Sequence, residues 1–192
     1  MRLLMRLLDY RHEASFTRYL RRKRLRVLVR MIAQVHREKG AVRVLDMGGT
    51  PDYWSLLGGE VLRRYSVAIT VVNLSSVNRS ARMPSIECVQ GDACNLAAFG
   101  DNSFDIVHSN SVLEHVGPWA RMCIFAQEVR RLAPHHLVQT PNFWFPIEPH
   151  FMVPLFHWLP LPTRAWLLTR TSLAHHRRAP TLHAALLVVE AR

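Results

Sequence analysis

An aspartate followed by two glycines is the first group in the chain with the residue types and spacing to contact a ligand. Asp46, Gly48 and Gly49 come at the end of a short apolar run. Paired glycines let the backbone turn sharply and approach a bound molecule closely. A carboxylate at a strand tip would repel a pyrophosphate and attract a positively charged ligand. The alternative is an ordinary turn between strand and helix, and the G-x-G-x-x-G spacing of dinucleotide loops is absent.

Polar residues recur where three later apolar runs end. Asn73 ends the second run, Gly91-Asp92-Ala93 follows the third, and the fourth leads into Asn110. An amide suits ribose hydroxyls, and a carboxylate can accept a hydrogen bond from an adenine amino group. Each residue alone also fits a turn or a helix cap. Their order favours one extended ligand with an adenosine part and a cationic part, which is the chemistry of S-adenosylmethionine.

The elements that must position these residues alternate between short apolar runs and helical periods. β-branched residues recur in the runs, which favours strands over buried helices. The runs cover residues 42–47, 67–73, 86–90, 104–109 and 136–140, and the helical periods cover residues 53–64 and 118–132. This alternation predicts an α/β, doubly wound, mostly parallel sheet. Ligands of such sheets bind beyond the carboxyl ends of the strands.

A basic helix is predicted ahead of the sheet, over residues 9–38, and Gly40 ends it. We divide the chain into this N-terminal helical extension, residues 1–40, and one globular domain, residues 41–192. The formal net charge is +11, and the positive charge is concentrated in residues 21–26. Such a balance is typical of proteins that bind nucleic acid or anionic membranes. We interpret the run as the solvated face of the helix and do not expect a nucleic-acid partner.

The cysteines and the apolar stretches bear on the compartment. Cys88, Cys94 and Cys123 are scattered without C-x-x-C spacing, which argues against a disulfide framework and a zinc site. Charges interrupt the first nine residues too often for a signal peptide, and no apolar stretch reaches the roughly 20 residues of a membrane span. We expect a cytoplasmic protein without a bound metal.

Six stretches of this sequence together form a recognisable pattern. They are Val44–Gly49, Gly91–Ala93, Phe104–Val107, Leu113–Val116, Thr140–Asn142 and Glu148–Phe151. The combination resembles class I S-adenosylmethionine-dependent methyltransferases of the ubiquinone-biosynthesis and small-molecule group, over residues 42 to about 150. The resemblance implies a Rossmann-like fold with S-adenosylmethionine as cofactor. It also implies that Asp46, Gly48 and Gly49 hold the methionine part, Asn73 the ribose, and Asp92 with Ala93 the adenine, while Asn110 lines the centre of the site.

The sequence departs from that family pattern at three places. Thr50-Pro51-Asp52 stands where a third glycine is usual, and Asn73 stands where an acid is usual. The family's sheet normally ends in an antiparallel hairpin. After Arg170 the only run that predicts a strand is Leu186–Glu190. We therefore expect a shortened terminal hairpin.

The acceptor side is predicted from residues 141–162, which are rich in aromatic residues and proline. Prolines break a long helix, so these residues predict a stiff loop and a short helix. The loop forms an acceptor pocket, covers the sheet edge, or makes peripheral contact with a membrane beside a lipid-like acceptor. If the acceptor must lose a proton, His115, His150 and Glu148 are the candidate bases.

The function predicted from these residues is methylation of a small molecule, namely an aromatic, lipid or sugar intermediate. One alternative is an RNA or protein methyltransferase anchored by the arginine-rich helix. Another is a cofactor-binding domain without catalysis, left by loss of the terminal hairpin. Methyl transfer in an assay would distinguish the small-molecule methyltransferase from the domain without catalysis. A steep salt dependence of RNA affinity would favour the RNA methyltransferase.

Overall fold

A parallel sheet of five strands forms the centre of the structure, a computed structural model that describes residues 16–75, 86–148, 151, 153–173 and 177–190. Its strands are β1 (Val42–Met47), β2 (Val67–Asn73), β3 (Ile86–Gln90), β4 (Ile106–Asn110) and β5 (His135–Gln139). They lie in the order β3-β2-β1-β4-β5, and each neighbouring pair is parallel. The strand order reverses between β1 and β4, so a ligand crevice is expected at their carboxyl ends. The predicted α/β, Rossmann-like sheet is confirmed.

Helices cover both faces of this sheet. They are α1 (Phe16–Lys39), α2 (Pro51–Trp54), α3 (Gly59–Arg64), α4 (Trp119–Leu132), α5 (Leu161–Arg170) and α6 (Leu182–Glu190). Helix α1 ends as predicted at Gly40, whose φ is +77° and whose amide donates to His36 O over 2.8 Å. A left-handed residue after the last turn stops a helix, and glycine adopts it without strain. Residues 9–15 of the predicted helix lie outside the described residues.

Two hydrophobic clusters cover the sheet, one on each face. On one face α1 contributes its buried side chains, which are Leu25, Leu28, Ile32 and Val35, and these pack with Val44 of β1 and with Trp54. On the other face Phe125, Val129 and Leu132 of α4 pack with Leu45. Val44 and Leu45 point in opposite directions because side chains alternate along a strand. Each fully buried aliphatic side chain contributes about 1.5–3 kcal/mol to folding.

Not every apolar side chain of α1 and α4 is buried. Val27 of α1 is exposed, and the buried stripe of this helix runs through Leu25 and Leu28. Arg24, Arg26, Arg30 and Arg37 lie exposed on the solvent side. On α4, Trp119 begins the helix and is 77% exposed. The single predicted helix at residues 53–64 is divided into α2 and α3 by a turn at Gly58, which has a φ of +78°.

The predicted strand at Leu186–Glu190 is wrong, because these residues belong to helix α6. Ala184 and Ala185 favour a helix, and the buried Ala185 and Val189 lie one helical turn apart. Helix α6 packs against α5 around a third cluster that includes Phe156. Within the described ranges the main sheet gains no strand after β5. A separate antiparallel pair, β6 (Ile147–Glu148) and β7 (Val153–Pro154), precedes α5.

None of the helices that the structure describes is both long enough and apolar enough to cross a bilayer.

Candidate functional site

A cavity of about 250 Å³ opens at the carboxyl ends of the first four strands. Gly48 follows β1, Val72 and Asn73 end β2, and Gly91-Asp92-Ala93 follow β3; each of these residues lines the cavity. The segment after β4 contributes Ser111, Val112, His115 and Val116, and α4 contributes Arg121. The site thus lies beside the strand-order reversal, where the fold predicts it.

Gly48 must be a glycine for two independent reasons. Its φ is +78°, in the left-handed region, where a side chain is strained. A Cβ at this position would also lie 2.5 Å from Cγ2 of Val112. The amide of Gly48 donates to Val72 O over 2.7 Å, which ties the turn to β2. The turn after β1 is therefore fixed against both the neighbouring strand and the segment after β4.

Asp46 lies beneath this turn and does not line the cavity. It is fully buried, and its Oδ2 accepts a hydrogen bond from Trp54 Nε1 over 2.7 Å. Its Oδ1 lies 2.8 Å from Nδ1 of His108, which is its register partner on β4. The ring of His108 stacks on Tyr53 at 5.0 Å and contacts Trp54 edge-on. The carboxylate is therefore held by α2 and β4 and supports the turn from below.

Asn73 connects the end of β2 to the same turn. Its Nδ2 donates to the carbonyl oxygens of Gly48 and Gly49, over 3.3 Å and 3.1 Å. Its Oδ1 accepts from the amide of Ser75 over 3.4 Å. The side-chain amide of Asn73 thus uses both its Nδ2 donor and its Oδ1 acceptor. In this structure Asn73 holds the glycine turn in addition to lining the cavity.

Asp92 forms an ion pair with Arg121 at the opposite end of the cavity. Arg121 Nη2 lies 3.0 Å from Oδ1 and 2.7 Å from Oδ2 of Asp92, and Arg121 Nε donates to Val116 O over 2.7 Å. The hydrogen bond from Arg121 lowers the pKa of Asp92, and a second bond from the amide of Cys94 lowers it further. Arg121 therefore joins the loop after β3 to the segment after β4.

The remaining predicted residues divide between the cavity and other places. Ala93 and His115 line the cavity, whereas Asn110, at the end of β4, does not. Glu148 is part of β6, and its side chain lies outside the described part of the structure. His150 also lies outside the described residues.

The aromatic residues at the start of the 141–162 loop do not line this cavity. Phe143, Trp144 and Phe145 are exposed and contribute nothing to the lining of the cavity. The reason is that the loop turns away to pack on residues 155–158, through hydrogen bonds from His157 and Trp158 to Phe143 O.

Three residues of the site were missed from the sequence. Arg121 carried a usable signal, because a cation in the first turn of a helix opposes the helix dipole and needs an acidic partner. His108 also carried one, because it interrupts an apolar strand. Trp54 carried none, since a buried tryptophan is usual in a core.

The residues around this cavity are similar to a known domain family. Residues 45–135 match the methyltransferase domain family. No curated protein sequence matches the chain. Among solved structures, a SAM-dependent methyltransferase from Archaeoglobus fulgidus shares 21% identity at a TM-score of 0.46, over 65% of this chain and 53% of that one. The DszA carbon methyltransferase shares 20% at 0.47, over 69% and 36%.

A third solved structure contains the cofactor. Phosphoethanolamine N-methyltransferase 2 of Haemonchus contortus, in complex with S-adenosyl-L-methionine, shares 21% identity at a TM-score of 0.32, over 57% of this chain and 26% of that one. The chain thus spans about half or less of the length of these three proteins. The family match runs from the middle of β1 to the first residue of β5 and includes every residue that lines the cavity. Residues 45–135, a little under half of the chain, are therefore similar to a methyltransferase domain.

Proposed function

We propose that this protein transfers a methyl group from S-adenosylmethionine to a small-molecule acceptor. The observation that carries the proposal is one cavity lined from the ends of four consecutive strands, with bare glycine backbone at Gly48 and Gly91. An elongated ligand that needs polar contacts at its centre and at one end, with apolar walls beside them, fits such a groove. Asn73 lies among apolar neighbours such as Val72 and Val112.

The residues present fit this cofactor along its whole length. In the proposal, the turn at Gly48 and Gly49 holds the methionine part, and Asn73 contacts the ribose. Ala93 and Val116 provide apolar surface for the adenine. Asp92 already accepts bonds from Arg121 and Cys94, but a carboxylate has about four acceptor positions, so one stays available for the adenine amino group.

Asp46 acts in this proposal from beneath the turn. A Cβ on Gly49 would lie 1.7 Å from Oδ2 of Asp46, so the carboxylate and the glycine backbone are in direct contact. Buried charge acts over a longer distance than exposed charge, because little solvent screens it. The carboxylate therefore attracts the cationic end of the cofactor through the turn and fixes the shape of that turn.

The chemical step requires alignment more than acid or base groups. When bound, S-adenosylmethionine supplies a methyl group on a positively charged sulfur; the carbon–sulfur bond breaks as the bond to the acceptor forms, and the electron pair leaves with the sulfur. The chain contributes by holding the acceptor in line, which is worth several kcal/mol of the barrier, on the order of 7 or more in well-oriented cases. His115 lines the cavity and is the base that we propose for an acceptor that must lose a proton.

Three further roles belong to the same proposal. Asn110, at the end of β4, supports the centre of the site, and Glu148 and His150 are second candidates for the base.

The proposed acceptors are aromatic, lipid or sugar intermediates. The unpatterned free cysteines fit a reducing, cytoplasmic setting.

A methyl-transfer assay tests the proposal. The full chain is incubated with methyl-labelled S-adenosylmethionine and a panel of phenols, catechols, hydroxylated lipids and sugars. We expect label in at least one acceptor and stoichiometric S-adenosylhomocysteine. Gly48→Ala should abolish both, because its Cβ would collide with Val112, while Gly100→Ala, whose Cβ would meet nothing within 4 Å, should not. Cofactor binding without transfer to any acceptor, cell extract or RNA would replace this proposal with the non-catalytic one.

A further inference from the structure

An exposed aromatic surface lies outside the cavity and has no role in the proposed reaction. We call it the aromatic patch, and it consists of Phe143, Trp144, Phe145, Leu155, Trp158 and Leu159. Trp144 is 75% exposed, and its ring lies 5.4 Å from that of Phe143 and 6.1 Å from that of Trp158. Contiguous exposed apolar surface of this kind usually marks a contact with a partner or a membrane.

The polar groups of the aromatic patch are turned inward. Trp158 Nε1 and His157 Nε2 both bond to Phe143 O, over 2.8 Å and 2.7 Å. The amide of Trp144 donates to Asn142 Oδ1 over 2.9 Å, and the amide of Leu155 donates to Pro146 O over 2.6 Å. Because these groups are already paired, moving the patch out of water leaves few unmet hydrogen bonds. Ring edges and aliphatic side chains form the outer surface.

The segment that carries the aromatic patch and the two helices after it has a net positive charge. Residues 141–190 contain four arginines and two acidic residues, Glu148 and Glu190. Helix α5 follows the patch directly and presents Trp166 to solvent, with the guanidinium of Arg170 6.0 Å from the ring centroid. Tryptophan beside arginine is typical of surfaces that enter the interface of a bilayer with anionic lipids. In a symmetric dimer the same patch of each copy would face the other, so charges of the same sign would oppose each other.

We infer that the aromatic patch docks on an anionic lipid surface. The aromatic side chains enter the headgroup region, and Arg170 and its neighbours contact the lipid phosphates. The cavity lies outside the patch, so docking and cofactor binding are separate properties of the chain. The inference goes beyond the proposed methyl transfer and does not depend on it.

Vesicle flotation of the full chain, without cofactor, tests the inference. We expect binding to vesicles of phosphatidylcholine with phosphatidylglycerol, weakened by salt, and little binding to phosphatidylcholine alone. The double substitution Trp144→Ala with Phe145→Ala should lower binding by about tenfold or more. Trp119→Ala is the matched control, because Trp119 is equally exposed at the start of α4 and should leave binding unchanged.

Four results would overturn the inference. The first is an absence of binding to the anionic vesicles. The second is an equal loss in Trp119→Ala. The third is a loss of vesicle binding in the double variant Arg24→Gln with Arg26→Gln, on the exposed face of α1, while the Trp144→Ala with Phe145→Ala variant still binds. The fourth is a dimer that Trp144→Ala disperses without any vesicle binding, which would assign the patch to a second copy. None of these results bears on methyl transfer, because no cofactor is present.

Discussion

The carboxylate of Asp46 occupies the space that a side chain on Gly49 would need. A Cβ built on Gly49 lies 1.7 Å from Oδ2 and 2.3 Å from Cγ of Asp46. The two residues are therefore one structural unit, in which the acid is possible only because position 49 has no side chain. The acid is also held by Trp54 and His108, so the unit reaches from the cavity floor into the core.

Gly49→Ala should damage both the fold and the site. The added methyl displaces Asp46 from Trp54 and His108, and we expect a loss of about 2–4 kcal/mol in the free energy of unfolding. Affinity for S-adenosylhomocysteine should fall in parallel. Urea denaturation and calorimetry measure the two effects. Gly100→Ala should change neither by more than about 0.5 kcal/mol. A stable Gly49→Ala variant with normal affinity would contradict the described packing.

Asp46→Ala should lower both the stability of the fold and the affinity for the cofactor. From sequence alone this change is expected to affect only affinity, but the acid is fully buried and has two buried partners. Removing it leaves Trp54 Nε1 and His108 Nδ1 unpaired, which costs about 2–5 kcal/mol. Asp46→Asn keeps an acceptor for Trp54 and should cost less. Thermal unfolding followed by near-ultraviolet circular dichroism distinguishes the variants, and equal stabilities would count against this account.

Asn73→Asp should weaken cofactor binding, although an acid is usual at this position in the family pattern. An ionised carboxylate cannot donate to the carbonyl oxygens of Gly48 and Gly49, and it repels them. We expect a loss of about 1–3 kcal/mol in binding free energy. Asn102→Asp, an exposed change away from the cavity, serves as the control. An unchanged or higher affinity in Asn73→Asp would show that its amide does not hold the turn.

Arg121→Met should make cofactor affinity more sensitive to acid. The Arg121 hydrogen bond lowers the pKa of Asp92, so in the parent protein Asp92 stays ionised to a lower pH than an ordinary aspartate. Without Arg121 the pKa of Asp92 returns toward its ordinary value, and affinity should begin to fall at a higher pH. Titrations with S-adenosylhomocysteine between neutral and acidic pH test this shift. Identical pH profiles of the parent protein and Arg121→Met would show that Asp92 does not contact the adenine.

Asp105→Asn should remove stability at neutral pH but little at acid pH. Burial raises the pKa of Asp105, but hydrogen bonds from Lys39 Nζ and the amide of Arg43 outweigh burial and lower it overall. A lowered pKa in the folded state stabilises the protein above the ordinary carboxyl pKa, and this stability is lost as pH falls through the folded value. The difference between parent and variant, about 1–3 kcal/mol at neutral pH, should therefore shrink in acid. Asp101→Asn, at an exposed position, should show no such trend.

The strands and the glycine turn were predictable because their signals are local. Short β-branched runs mark β1 and β2, and the residues that follow them appear at the strand ends of a parallel sheet as predicted. The partners of Asp46 were not predictable. Trp54 and His108 reach it through helix packing and strand register, and a single sequence does not contain either relationship.

The C-terminal residues show how a short apolar run misleads. Leu186–Glu190 has the length of a strand, but Ala184 and Ala185 before it extend a helical period that buries Ala185 and Val189. The aromatic loop misled for a different reason. Composition indicated an apolar loop surface, but it gave no direction, and the exposed aromatic side chains at residues 143–145 do not line the cavity.

Calorimetric titration of the full chain with S-adenosylhomocysteine tests whether this cavity holds the cofactor. We expect saturable binding of one ligand per chain, lost in Gly48→Ala and retained in Gly100→Ala, because only the first Cβ would collide with another residue of the site. Both variants must keep the circular dichroism spectrum of the parent for the comparison to count. Absence of binding in the folded parent protein, or equal binding in the two glycine variants, would contradict the assignment of this cavity to the cofactor.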